Sequence, residues 1–237
     1  MAQRPIYIPQ PNIYPYYQEI SIDFEWHSGL SKSQAQKSIL SLHESATGKG
    51  WNPLLEISSK SLQDIGIRLS AFNLKFEKEG NLISVESAYQ GSKVFENDGP
   101  FHDLYNASSR DAKTDRRLHN SGAFKSYCFF GDDFPDKPIT AFYDWLYLMA
   151  LIENPSLSKQ LKNYAGFSDI AFNPKKSINC QARSAAIFVA LADTLDINLI
   201  RDRDYWLDSI LNEYGSRDNI NQQKALISEQ MELKLGL

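Results

Sequence analysis

Four polar residues of the stretch Glu86-Ser87-Ala88-Tyr89-Gln90-Gly91-Ser92-Lys93 recur at i, i+3, i+4 and i+7: Glu86, Tyr89, Gln90 and Lys93. On a helix of about 3.6 residues per turn this spacing gathers a carboxylate, a phenol, an amide and an amine on one narrow face. Ala88, Gly91 and Phe95 fall on the other side, where small residues let a helix press against a neighbour. The carboxylate can stabilise positive charge or move a proton. Lys93, about 10.5 Å further along the axis, can act electrostatically or, if burial lowers its pKa, as a Schiff-base nucleophile. The plainer reading of the same pattern is a solvated, charged helix face.

Lys113, Arg116, Arg117 and Asn120 repeat the spacing on a helix opened by Ser108 and Asp111, a hydroxyl and a carboxylate placed as a capping box. Such a basic face suits phosphate oxygens, although Asp111 and Asp115 could neutralise it as an ion-paired surface. Lys175 and Lys176 lead into a third helix start, with Asn179 and Arg183 one turn apart: an anion site, or a capped core helix with a basic lead-in. No glycine-rich phosphate loop, HExxH, nucleophile elbow or zinc quartet is present. His27 and His43 have no partner at zinc spacing, and Asp132, Asp133 and Asp136 match no calcium loop, so no metal is expected. The chemistry therefore falls to carboxylates, an amine and hydrogen-bonding side chains.

The elements that must position these groups follow from pattern. Met1 to Tyr17, with Pro5, Pro9, Pro11 and Pro15, predicts an extended arm. Ile20 to Phe24 alternates as a strand, Ser31 caps a helix running to about Ser45, and Leu54 to Ile57 is a short strand. Leu74 to Ser84 reads as a hairpin around Glu79-Gly80-Asn81. Gly131 to Pro138 is a surface loop. Ile139 to Glu153 is apolar around nearly its whole circumference and so predicts the buried core helix, with Tyr143 and Trp145 as packing residues. Phe167 to Pro174 alternates and ends in a turn. Two polar helices are expected at about 205–214 and 219–234.

With 237 residues, 42% apolar and 12% aromatic, the chain can bury a full core. A net charge of -4 argues against unspecific coating of nucleic acid, so any such contact needs a local basic patch. Cys128 and Cys180 lack a Cys-x-x-Cys spacing, which points to a reducing compartment. No secretory signal is read at the N-terminus, and the apolar run at 139–152 carries Asp144 and is too short for a bilayer. A cytoplasmic protein without membrane contact is expected.

In order and spacing, Ser70-Ala71-Phe72-Asn73, the Glu86-x-x-Tyr89-Gln90-x-x-Lys93 helix, the helix from Ser108 through Lys113 to Arg117, and Ser177-Ile178-Asn179 resemble the NADAR family, the YbiA-like superfamily named for NAD and ADP-ribose. The resemblance spans residues 66–194. It departs from the family pattern at Ala71, where Asn is usual, at Ser109 for Pro, at Arg116 for Gly and at Ser177 for Gly. It implies N-glycosidase chemistry, in which the C1–N bond breaks through an oxocarbenium-like transition state. The catalytic residues would be Glu86 beside the ribose, Lys93, and Asp169 as a second carboxylate for water activation or a ribose hydroxyl. Substrate contacts would come from Ser70, Phe72, Asn73, Tyr89, Gln90, Lys113, Arg116, Arg117, Asn179 and Arg183. No cofactor is implied.

The resemblance also implies a mainly α (α+β) fold: a YbiA-like orthogonal helical assembly around the 139–153 helix, with a small antiparallel β element at 74–84. Residues 1–60 would be an N-terminal extension, 61–200 the NADAR-like catalytic domain and 201–237 C-terminal helices. The N-terminal part is of the kind found in bacterial antitoxins paired with a DNA ADP-ribosyltransferase (DarT) toxin. The expected function is thus removal of ADP-ribose from ADP-ribosylated guanine in DNA. The expected partners are ADP-ribosylated DNA or ADP-ribose and a cognate toxin. Alternatives are an N-glycosidase on phosphoribosylated riboflavin-pathway intermediates, a non-enzymatic toxin-binding antitoxin, and an ADP-ribose sensor.

Overall fold

The computed structural model of the chain describes residues 1–173, 180–192, 194, 196–210 and 212. It opens on a hairpin: β1 (Ala2–Pro9) and β2 (Tyr17–Phe24) pair antiparallel along their whole length, with Ile6 opposite Ile20. α1 (Lys32–Thr47) starts at Ser31, whose Oγ accepts from the Gln34 N–H at 3.3 Å, and its stripe of Ile39, Leu42 and Ala46 packs on Ile6, Ile22 and Phe24 of the hairpin. β3 (Leu54–Glu56) and α2 (Asp64–Arg68) follow. β4 (Lys75–Lys78) and β5 (Asn81–Ser84) form the expected hairpin, with Glu79 and Gly80 at φ of 52° and 77° in its turn.

From β5 the chain passes directly into α3 (Val85–Gly91) and then β6 (Lys93–Phe95), a short 3-10 turn at His102–Asn106, α4 (Ser109–Thr114) and α5 (Arg117–Asn120). β7 (Phe124–Phe129) and β8 (Asp132–Phe134) precede α6 (Ala141–Glu153), α7 (Pro155–Ser158), β9 (Gly166–Ser168) and α8 (Gln181–Ala192). Residues 203–210 are helical; the expected helix at 219–234 lies outside the described residues. No helix among the described residues is long and apolar enough to cross a membrane.

The expectation of a mainly α orthogonal assembly is corrected by three sheets, ordered β2-β1-β9-β3, β4-β5 and β6-β7-β8. β2, β3 and the β4–β5 hairpin stand at expected strand positions, and β9 overlaps the start of the alternating stretch Phe167 to Pro174. β6 and β8 are three residues each, too short to carry a readable alternation. β1 contains Pro5 and Pro9, which suggest an arm. Its second neighbour, β9, meets it only at Ile6 and Tyr7, so both prolines stay outside that pairing. Asp132 to Phe134, expected in a loop, pair with β7.

α6 is the buried centre, with ten core positions from Ala141 to Leu151. Its polar tips are satisfied: Tyr147 Oη donates to the Leu69 carbonyl at 2.7 Å and Trp145 Nε1 to the Ile200 carbonyl at 2.9 Å. α3 leans on it through Tyr89, whose ring stands edge-on to Tyr143 at 5.2 Å.

Candidate active site

Ser84 turns the chain from β5 into α3, its Oγ accepting from the Ser87 N–H at 3.0 Å. The same hydroxyl meets Ser109 Oγ at 2.7 Å and so ties α3 to α4. On the other side of α3 a Cβ at Gly91 would stand 2.6 Å from the Tyr105 ring, so glycine is needed for this depth of packing. Seated in this way, α3 turns its polar face into a cleft of about 540 Å³.

Glu86 is only 6% exposed there. Its Oε1 accepts from Gln90 Nε2 at 2.9 Å and lies 3.7 Å from Lys113 Nζ. Lys93 Nζ donates to Gln90 Oε1 at 2.7 Å and sits 4.7 Å from the Tyr89 ring centroid. α3 ends at Gly91, with Ser92 as its cap, so Lys93 is the first residue of β6, paired with Tyr127. The result is a continuous line, Lys93, Gln90, Glu86, Lys113. Burial lowers the Lys93 ammonium to about 8, with Glu86 opposing and Lys113 adding to that effect.

The second wall comes from the β3–β9 pairing. Just after β9, Asp169 Oδ1 accepts from the N–H groups of Ala171 and Phe172 at 3.0 and 3.2 Å, and Oδ2 accepts from Gln181 Nε2 at 3.0 Å. Burial first, then the charge of Glu56, pushes Asp169 up to about 7. Glu56 itself accepts from Ser58 Oγ and Ser168 Oγ, each at 2.6 Å, and from the Ile170 N–H at 2.9 Å. Gln181 ties the two walls together. Its Nε2 also donates to the Ile57 carbonyl at 2.6 Å and its Oε1 accepts from the Ala71 N–H at 2.7 Å, while the Ala71 carbonyl accepts from the Glu86 N–H at 3.0 Å.

Of the residues singled out from sequence, Ser70, Phe72, Glu86, Tyr89, Gln90, Lys93, Lys113 and Asp169 line this cleft. Asn73 is exposed and donates to the Ile67 carbonyl at 2.9 Å. Arg116 is exposed at the N-cap of α5. Arg117 is held by Asp103 at 2.7 Å and Asp115 at 2.9 Å, because the chain turns extended at Asp115 (ψ 129°) and breaks the expected continuous basic helix. Arg183 is buried on Asp144 at 3.0 Å, outside the cleft lining. Asn179 lies outside the described residues. Sequence reasoning passed over Ser58, Tyr143, Phe172 and Gln181, which line the cleft, and Glu56 behind it. Gln181 had a signal, since it follows the Ser177-Ile178-Asn179 stretch. Glu56, a lone carboxylate within a short apolar run, had none. Among the described residues no three His, Cys, Asp or Glu side chains gather as a metal site.

An ordered carboxylate, a buried amine of lowered pKa and a second carboxyl of raised pKa in one cleft are equipped for acid, base and nucleophile work. A family model described as DarT1-associated NADAR antitoxin matches residues 2–219. No curated protein matches the chain.

Proposed function

Because the chain belongs to the DarT1-associated NADAR antitoxin family, we propose that it is an antitoxin enzyme: an N-glycosidase that removes ADP-ribose from guanine in DNA modified by a cognate DarT toxin. The observation that carries this reading is the line Lys93, Gln90, Glu86, Lys113 opening into the same cleft as Asp169. Lys113 lies 5.1 Å from the Phe72 ring centroid at the cleft wall and supplies a cation for the pyrophosphate, while the Phe72 ring offers an aromatic surface to a base.

In this mechanism the free amine of Lys93 attacks ribose C1 as the C1–N bond breaks. The bonding pair leaves with the guanine nitrogen, which takes its proton from Asp169. The adduct nitrogen passes a proton to the ring oxygen as the sugar opens, leaving a protonated Schiff base. Water adds to C1 and gives one proton to Glu86, which returns it to the nitrogen. The hydroxyl proton goes to Asp169 as Lys93 departs and the sugar recloses. The net change is one water, its oxygen on C1 and a hydrogen on guanine.

The test is mass spectrometry of an ADP-ribosylated guanine oligonucleotide treated with the purified chain in the absence of toxin. Free ADP-ribose and unmodified guanine are expected, and a borohydride quench traps an ADP-ribosyl adduct on Lys93 that Lys93→Ala cannot form. An oligonucleotide left fully modified would refute the glycosidase. Turnover without any trapped adduct would retain the glycosidase and assign Lys93 an electrostatic role.

A further inference from the structure

Glu56 has no part in the mechanism above, yet its carboxylate is 2% exposed and its two oxygens accept from three donors: the hydroxyls of Ser58 and Ser168 and the Ile170 N–H. Among the described residues no cation pairs with it. Burying a carboxylate without a counter-ion is costly, and an amide or an apolar side chain would serve packing alone at least as well. Its placement suggests another use. Glu56 stands opposite Ser168 in the parallel register of β3 and β9, and its contacts to residues 168 and 170 straddle Asp169 on the cleft wall.

We propose that Glu56 is a positioning residue for Asp169: an ionised partner seated behind the cleft, which makes Asp169 the member of the pair that holds a proton and offers it to the departing base. The inference rests on the glycosidase reading and adds to it the residue that prepares its acid. Burial pushes the Glu56 carboxyl up, and its three donors oppose burial and favour the charged form. A second charge in the same dry region is then disfavoured, and one proton serves two carboxyls. Asp169, pushed up to about 7, is the carboxyl facing the cleft.

The other groups around the pair leave this arrangement standing. From α1, His43 Nε2 meets Ser168 Oγ at 2.8 Å, and burial lowers the imidazole to about 4, so it is neutral near pH 7. Because Ser168 donates to Glu56, the neutral His43 donates to Ser168. From α6, Tyr143 and Tyr147 are pushed up by burial, and so is Cys180 just before α8, so all three stay neutral. From β1, Arg4 is in electrostatic reach of Asp169 and opposes the effect of Glu56, but burial and Glu56 still push Asp169 up. Its guanidinium lies 5.2 Å from the Trp26 ring centroid and its Nη1 donates to the Gln3 carbonyl at 2.9 Å.

Two measurements on the full chain test this. In kinetics on the modified oligonucleotide, Glu56→Gln should move the alkaline limb of the kcat profile down by about one pH unit or more, a loss of about tenfold near pH 8. The ratio to wild type should return toward one below pH 6, with KM unchanged. A loss of the same size at every pH would mark a merely structural role and overturn the proposal. Independently of turnover, carbon-13 NMR of carboxyl-labelled protein, with Asp169 assigned by its absence in Asp169→Asn, should show Asp169 titrating near neutrality in the wild type and lower in Glu56→Gln. Asp169 titrating as an ordinary carboxylate in the wild type overturns the proposal even if Glu56→Gln does not fold. If the wild type shows no turnover at all, the NMR titration still decides the pairing, so failure of the glycosidase reading is separable from failure of this one.

Discussion

The two carboxylates that line the cleft keep opposite company. Each accepts from a side-chain amide, but Glu86 has an ammonium 3.7 Å away, whereas Asp169 has backbone donors and a second buried carboxylate, with Arg4 in wider electrostatic reach. The neighbouring cation and amide order Glu86 in the cleft, where its carboxylate suits electrostatic work. Anionic company favours a carboxyl that keeps its proton for a leaving group. The walls also differ in how they are built. The Glu86 wall is one short helix and the strand residue after it, and the Asp169 wall exists only once two distant three-residue strands have paired.

The largest test of that contrast is Glu86→Gln. The amide keeps the shape and an oxygen for Gln90 but removes the charge, so release of ADP-ribose should fall about a thousandfold, read as kcat by product quantification. Stability should change by under about 1 kcal/mol, because the lost partner, Lys113, is 55% exposed. A variant with near-normal turnover would deny Glu86 its role and dissolve the contrast. Asp169→Asn should separate the walls in the other direction. The folded-state pKa of Asp169, about 7, lies above its ordinary 3.8, so its contribution to stability is fully present below pH 3.8 and is lost as pH rises through 7. Asn removes the ionisation, so the stability of the variant relative to wild type should be greater at pH 8 than at pH 5 by about 2–3 kcal/mol, at about 1.4 kcal/mol per pH unit up to pH 7, and turnover should fall. Thermal unfolding with an identical difference at both pH values would show that the Asp169 wall carries no such burden.

What could be read from sequence follows the same division. The Ser31 cap, the hairpin turn at Glu79 and Gly80, the Ser108–Asp111 cap and the buried α6 are all set by residues a few positions apart, and each stands where local chemistry puts it. The polar line of α3 was legible for that reason, up to its end. The helix stops before Lys93, which reaches the cleft from β6. In the larger sheet β2 and β3 were legible, whereas β1 was not, since its two prolines suggest an arm, and nothing local showed that β3 would pair with β9. Glu56 could not be found, because its meaning depends on Ser168 lying opposite it in the parallel register. Arg183 looked like a ligand for anions. Its partner, Asp144, lies on the core helix and was visible in the sequence, but only the packing of α8 on α6 joins them.

The smallest expected effect sharpens the contrast at its cationic side. Lys113 and Arg117 look equivalent in sequence, four residues apart on one basic face, yet only Lys113 lines the cleft. Asp115 turns the chain extended, and its carboxylate accepts from both the backbone N–H and Nε of Arg117, at 2.8 and 2.9 Å, while Nη2 reaches Asp103 at 2.7 Å. These are exposed ion pairs, with Arg117 39% and Asp103 64% open to solvent, and pairs of that kind contribute at most about 1 kcal/mol. Arg117→Gln should therefore leave turnover within about twofold of wild type and lower stability by under about 1 kcal/mol, less at high salt because exposed charges are screened. A loss of ADP-ribose release comparable to that of Glu86→Gln would mean that the whole basic face, and not Lys113 alone, provides the charge that keeps Glu86 and Asp169 apart in function.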